Sequence, residues 1–335
     1  MDALSFALAC PKAELHIHIE GSLEPELAFA LAQRNGIRLP YADTAALRTA
    51  YDFKDLQSFL DLYYACADVL RTEQDFHDLM FAYLERAHAD GIVRAEVFFD
   101  PQTHTARGID IKTVIEGLCS GAEAGEAHFG ISTALILCFL RHLSEDDAFE
   151  TLHSAEPYLD QIAGFGLDSS EKGHPPAKFA KVFARCRELG KPVVAHAGEE
   201  GPPAYINEAL DVLKVDRIDH GVRAVEDAAV LARVARERVP LTVCPLSNVR
   251  LCVFDRMELH TLPELLKAGA NVTLNCDDPA YFGGYLSDNI RAVQKAFNWD
   301  TATWYQLARN SLEASFATPA EKAEWVARLD AMLHA

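Results

Sequence analysis

Eight short apolar runs recur along this 335-residue chain, with helical stretches between them. They are Ala13–His18, Val93–Phe99, Ala134–Leu140, Ile162–Leu167, Val193–Ala197, Arg217–His220, Leu241–Cys244 and Val272–Asn275. Near-continuous apolar strands alternating with helices mark a parallel sheet buried on both faces. Eight such units predict an α/β fold of the (β/α)8 TIM barrel type. Extra helices are expected between the first and second strands and at the C-terminus. The connection from Glu24 to Gly91 carries Phe53, Leu56, Phe59, Leu60 and Tyr63 at three- and four-residue spacing, a helical stripe. Packing against the barrel accounts for that stripe; a cover over an apolar ligand is the sharper alternative. Ser144 with Asp147, and Thr318 with Glu321, have the form of capping boxes. No repeat, low-complexity tract or linker divides the chain, so residues 1–335 read as a single domain.

Charge narrows the range of partners. Fifty Asp and Glu against 31 Lys and Arg leave a net charge of −19, which argues against nucleic acid or an anionic membrane surface as partner. The longest apolar run, Ile131 to Leu140, is interrupted by Ser132 and Thr133 and falls short of the ~20 residues of a spanning helix. Ala7-Leu8-Ala9-Cys10 faintly imitates a lipoprotein cleavage site, but without preceding basic residues it reads as a short N-terminal helix. The eight cysteines are scattered, with no C-x-x-C pair, as expected of small buried residues in a reducing, cytoplasmic compartment.

The polar residues that break the apolar pattern fall at the carboxy-terminal ends of the strands. His16-Ile17-His18-Ile19-Glu20 closes the first, Ala195-His196-Ala197-Gly198-Glu199 the fifth, Asp219-His220-Gly221 the sixth, and Asn275-Cys276-Asp277-Asp278 the eighth. Alternate residues of a strand share a face, which predicts that His16, His18 and Glu20 point together into the barrel. Barrel enzymes keep their active sites at these strand ends. His16, His18, His196 and Asp277 form a ligand set for a divalent metal, three borderline nitrogens and one hard oxygen. Each piece alone has a plainer reading. A strand histidine is commonly a hydrogen-bonded core residue, and Asp277-Asp278 before Pro279 could be a helix N-cap. Their joint placement on several strand ends has no economical structural account.

Here the residues carry a family likeness. Lys12-Ala13-Glu14-Leu15-His16-Ile17-His18-Ile19-Glu20-Gly21 resembles the opening motif of the adenosine/adenine deaminase family of the amidohydrolase superfamily. His196-Ala197-Gly198-Glu199, Asp219-His220-Gly221, Cys244-Pro245-Leu246-Ser247-Asn248 and Asp277-Asp278-Pro279 look like its later motifs, in order, within a similarity running from Pro11 to about Leu312. Finer features are similar to the adenine branch: Glu20-Gly21-Ser22-Leu23-Glu24-Pro25-Glu26-Leu27, Phe99-Asp100-Pro101-Gln102-Thr103-His104, Gly166-Leu167-Asp168-Ser169-Ser170-Glu171 and Pro279-Ala280-Tyr281-Phe282-Gly283-Gly284-Tyr285.

The resemblance implies hydrolytic deamination of adenine to hypoxanthine and ammonia, in purine salvage, by a metal-activated water attacking C6. It implies one zinc ion on His16, His18, His196 and Asp277, with Glu199 as proton donor to the ring. His220 would orient the water and help remove its proton, and Asp278 would bind the imidazole edge. Glu20, Gly166 and Ser169 are expected to contact the substrate. Glu20 stands where adenosine-specific relatives typically carry Asp; its longer side chain would accept the N9–H of the free base and crowd out a ribose. The alternative is that Glu20 pairs with a basic side chain while Ser169-Ser170-Glu171 closes the sugar site.

Other readings weigh less. Zinc deaminases of nucleic acid need a P-C-x-x-C pair, which is absent. A binuclear amidohydrolase would usually present a lysine after the fourth strand, where Asp168-Ser169-Ser170-Glu171 stands. A catalytically dead purine-binding protein would be expected to have lost a ligand or Glu199. The sequence leaves open zinc against ferrous iron, adenine against adenosine or an N6-substituted adenine, and the oligomeric state.

Overall fold

The computed structural model describes residues 1–51 and 56–333. All eight expected strands form: β1 (Lys12–His18), β2 (Ile92–Phe99), β3 (Ser132–Leu140), β4 (Ile162–Asp168), β5 (Val194–Ala197), β6 (Arg217–His220), β7 (Pro240–Val243) and β8 (Asn271–Leu274). They pair in parallel and in sequence order, β1 to β4 and β5 to β8. Two bridges join these halves into a barrel, Phe165 with Val193 and Ile17 with Asp277. The second seam has functional weight. Asp277 N–H donates to the His16 carbonyl and His18 N–H to the Asp277 carbonyl, each at 3.0 Å. The backbone that closes the barrel therefore fixes three of the four expected ligands against one another.

The added helices lie where the sequence places them. Helices Pro25–Arg34, Thr44–Ala50, Leu56–Ala67 and Glu73–Ala89 fill the β1–β2 connection, and Thr301–Ala314 and Pro319–Leu333 follow β8. Asp2 caps the N-terminal helix Ala3–Ala9 by accepting from Ser5 N–H at 2.7 Å. Both expected capping boxes form, at Ser144/Asp147 and Thr318/Glu321, and a third closes at Thr72/Asp75. No helix among the described residues is long and apolar enough to cross a membrane. The eight cysteines are free, and Cys252 is exposed.

The barrel interior below the site is ionic. Arg217, fully buried on β6, donates to Glu96 Oε2 at 2.7 Å and to the Leu15 carbonyl at 3.0 Å, while Arg94 holds Glu96 Oε1 at 3.2 Å. A buried pair is retained only where its remaining hydrogen bonds are met, and Phe316 N–H supplies a further donor to Glu96. These side chains plug the floor and confine the cavity to the carboxy-terminal mouth.

Candidate active site

Four donor atoms converge at that mouth. His16 Nε2 and His18 Nε2 lie 3.3 and 3.4 Å from Asp277 Oδ1, and His18 Nε2 lies 3.3 Å from His196 Nε2. Bonds of ~2.0–2.1 Å in a tetrahedral shell require ligand atoms roughly 3.3 Å apart. All four residues are buried and their donor atoms lie mutually within 4.8 Å. The outer ring nitrogens explain why these atoms remain available. Thr242 Oγ1 donates to Asp219 Oδ1 at 2.9 Å, so it accepts from His16 Nδ1–H at 3.0 Å. That tautomer leaves His16 Nε2 a bare lone pair, and the atom is buried with no hydrogen-bond partner. Asp168 and Asp219 stand 3.5 and 3.6 Å from Nδ1 of His18 and His196, and Ser247 donates to Asp277 Oδ2 at 2.6 Å. Such outer oxygens orient metal-binding imidazoles. The donor set fits one divalent ion.

Beside the cluster sit two groups suited to proton handling. Glu199 Oε2 lies 3.3 Å from His220 Nε2, which lies 3.8 Å from Asp277 Oδ2. Burial, reinforced by the charges of Asp277, Glu171 and Glu200, pushes the Glu199 carboxyl well above its ordinary range. Burial, with His16 nearby, pulls His220 well below its own, against the opposing effect of Asp277. Burial and Asp277 likewise raise Asp278. For Asp277 burial acts upward, but His16, His220 and His18 outweigh it and hold the carboxylate ionised.

The backbone is bent to aim these side chains. Ser169, His220 and Asp277, at the ends of β4, β6 and β8, have φ of 73°, 65° and 65°. Left-handed non-glycine residues are costly and cluster at functional sites. Gly198 (φ 73°) turns the chain between His196 and Glu199, and a Cβ there would meet Ile206 at 2.6 Å. Gly21 makes room for Asp278, whose carboxylate a Cβ would strike.

The structure gathers His16, His18, His196, Asp277, Glu199, His220, Asp278 and Ser169 at one cavity; all but the fully buried His16 line it directly. Two expectations need correction. Glu20 does not share a face with His16 and His18, because β1 ends at His18 and Ile19 already has helical φ −62° and ψ −38°. Its side chain lies outside the cavity wall, Oε1 accepting from His104 Nε2 at 2.8 Å and from Asp100 N–H at 3.2 Å. Burial pushes Glu20 upward, but the His104 hydrogen bond prevails and keeps it ionised. The paired alternative for Glu20 describes this geometry. Gly166 also lies off the cavity. It serves close packing of β4 on β3, since a Cβ would sit 2.5 Å from Cys138 Sγ. Gly166→Ala should therefore cost about 1–3 kcal/mol by overpacking, read as a lowered melting temperature, with KM for substrate little changed.

Further residues wall the cavity or touch its groups. Phe59 and Tyr63, from helix Leu56–Ala67, are buried in the cavity wall, so the cover reading fits these two members of the stripe. Phe53 and the side chains of Leu56 and Leu60 lie outside the described residues. Asp100, Thr103, Leu140 and Asp168 wall the β2–β4 side. Asn248, which touches Glu199, carries no signal beyond the quoted Cys-Pro-Leu-Ser-Asn run, and His260, which touches Asn248, carries none.

A (β/α)8 barrel with a His3Asp cluster at its strand ends, beside a carboxyl whose pKa burial raises and an imidazole whose pKa it lowers, defines the class of barrel hydrolases whose strand ends could hold a metal. A family profile described as adenosine deaminase matches residues 11–332, and the chain belongs to that family. It is 60% identical over 328 residues to an adenine deaminase of Paraburkholderia xenovorans, covering 97% of this chain and 93% of that one. The crystal structure of adenine deaminase from Arthrobacter aurescens superposes with a TM-score of 0.95 at 53% identity, covering 98% of this chain and all of that one. A zinc-bound amidohydrolase from Burkholderia ambifaria gives 0.90 at 26% identity, covering 99% and 93%.

Proposed function

We propose that the chain, acting as a single domain, hydrolyses adenine to hypoxanthine and ammonia. One divalent ion, zinc with ferrous iron as the alternative, would be held by His16, His18, His196 and Asp277. The observation that carries this reading is the meeting of those four donors with Glu199 and His220 in one buried cavity. The 60% identity to an adenine deaminase supports the free base as substrate.

A bound ion of this kind lowers the pKa of its water to about 7, supplying hydroxide at neutral pH. The protein's groups do the rest. His220, neutral and 3.3 Å from Glu199, orients the water. Oxygen adds at C6, and electrons move onto N1. Glu199, kept protonated by burial, delivers a proton there. The proton of the new C6 hydroxyl moves to the amino nitrogen, the C6–N bond breaks, and ammonia leaves behind a C6 carbonyl, while the proton first given up by the water restores the acid form of Glu199. Asp278, also raised by burial, offers a donor to the imidazole edge. Ser169, 2.8 Å from His142 Nδ1, closes the β4 side of the wall. Glu20 acts at one remove, through the Asp100 N–H from which it accepts, Asp100 itself lining the cavity. The reaction fits a cytoplasmic place in purine salvage.

The test is a side-by-side comparison of kcat/KM for adenine, adenosine and N6-isopentenyladenine, with metal counted on the same sample. Adenine is expected to be turned over far better than the other two. A preference for adenosine, or for the N6-substituted base, would overturn the assignment.

A further inference from the structure

Asn248, on helix Pro245–Arg250 after β7, sits between the two proton-handling groups and a second histidine, His260, that lies off the cavity. Hydrogen-bond direction can be followed along this row from one donor whose identity is fixed. The Leu262 backbone N–H can only donate, and it donates to His260 Nδ1 at 3.1 Å. His260 is buried, and burial pushes its pKa down to about 3, so the ring is neutral and carries its single proton on Nε2. That Nε2–H faces Asn248 Oδ1 at 3.2 Å. The amide oxygen of Asn248 is thereby committed to His260, and its NH2 group must point the other way. Its two hydrogens meet two acceptors, Glu199 Oε1 at 2.8 Å and His220 Nδ1 at 3.3 Å. Each end of the row is anchored. Phe254 packs on the His260 ring with centroids 4.5 Å apart, and Thr261 donates to the Val222 carbonyl at 2.9 Å, two residues beyond His220.

We infer that His260 and Asn248 are positioning residues that place the transferable protons of the site: the acid proton of Glu199 on Oε2, and the ring proton of His220 on Nε2. Both follow from acceptor bookkeeping. Oε1 of Glu199 is occupied by an Asn248 donor, so a proton on that carboxyl resides on Oε2. Nδ1 of His220 is likewise occupied, so the neutral ring is protonated at Nε2, the nitrogen 3.3 Å from Glu199 Oε2. The row rests on the catalytic roles proposed above for Glu199 and His220: it puts the acid proton of Glu199 on the cavity side, and it gives His220 an Nε2–H that orients the water as a donor to its oxygen rather than as a base. A side-chain amide that can flip would place either proton wrongly about half the time. The His260 donor removes that freedom.

The inference is tested on the metal-loaded enzyme by two readouts. The first is spectroscopic and independent of turnover. In protein labelled with 15N-histidine, the His220 ring, assigned by comparison with His220→Asn, should show the tautomer protonated at Nε2. Asn248→Asp substitutes an acceptor for the donor and should move that proton to Nδ1. The second is kinetic. His260→Asn can keep the contact to Leu262 but cannot reach Asn248, and should lower kcat for adenine on the order of 10²-fold, as a misplaced group does. Its KM, metal content and melting temperature should stay near wild type. His260→Gln, whose amide nitrogen reaches the Nε2 position, should restore most of the rate. A wild-type His220 protonated at Nδ1, an unmoved tautomer in Asn248→Asp, or equal rates for the two His260 variants would each overturn the inference. Failure of adenine turnover in wild type would instead strike the proposed reaction and leave the tautomer measurement standing.

Discussion

Replacing Glu199 with Gln is expected to lower kcat for adenine by at least ~10²–10⁴, the range of a general acid, with metal content and adenine affinity near wild type. The substitution is nearly isosteric. Gln retains an oxygen that can accept from Asn248 Nδ2, now 2.8 Å from Glu199 Oε1, and puts an NH2 where Oε2 stands. That group can donate a hydrogen bond to ring N1 but cannot give up a proton. Ground-state binding survives while the step that neutralises N1 is lost. The pH dependence gives a second handle. Burial and the surrounding carboxylates raise the Glu199 pKa, so its acid form is complete below that raised value and disappears as pH rises through it. Wild-type kcat should fall on the alkaline side for this reason, and the residual rate of the Gln variant should lack that limb. Steady-state kinetics, calorimetry with adenine and metal analysis on one preparation check all three. A Gln variant with wild-type kcat would show that the proton comes from elsewhere.

What the sequence discloses here is set by how local the signal is. The eight strands were legible because each is a short apolar run, and errors are confined to edges such as Pro240 and Asn271, polar or imino residues that pair at strand starts. The four clustered donors, His16, His18, His196 and Asp277, were legible as a group because a histidine or aspartate ending an apolar run has few structural uses. Glu20 was misplaced because period-two reasoning holds only while the strand lasts, and Ile19 has already left it. Gly166 was read as a substrate contact because its motif neighbours Asp168 and Ser169 do line the cavity, whereas its lack of a side chain answers to Cys138 on the next strand. The hydrogen-bonded row of Asn248 and His260 was not legible, although Asn248 lies in a quoted motif. Their partners lie 49, 28 and 12 residues away, and only the closed barrel brings β5, β6 and the segment after β7 to one point.

Removal of the Asp277 carboxylate should empty the metal site. Asp277 supplies the anionic oxygen of the cluster, at 3.3 and 3.4 Å from His16 and His18 Nε2, and its other oxygen is held by Ser247 at 2.6 Å. Without it three neutral imidazoles would face a dication with no charge to balance it, and the four-ligand shell that a tightly held ion requires would be incomplete. Asp277→Ala should therefore lose most of its metal and nearly all activity. The variant also asks alanine to adopt φ 65°, a strain of about 1–2 kcal/mol, at the residue that closes the β8–β1 seam. Asp277→Asn separates the two effects. Asparagine enters the left-handed region readily and still accepts from Ser247, so the fold should be kept while the charge is lost. Metal per chain by elemental analysis, circular dichroism and kcat are read together. Wild type should hold one equivalent, and Asp277→Asn should hold well under one with an unchanged spectrum. Two equivalents in active wild type would refute a mononuclear centre and direct attention to His18, Asp100 and Asp168, the neighbouring group whose donor atoms also lie within 4.8 Å of one another. Full metal in Asp277→Asn would show that the three histidines suffice, and that the carboxylate at the barrel seam serves the fold rather than the ion.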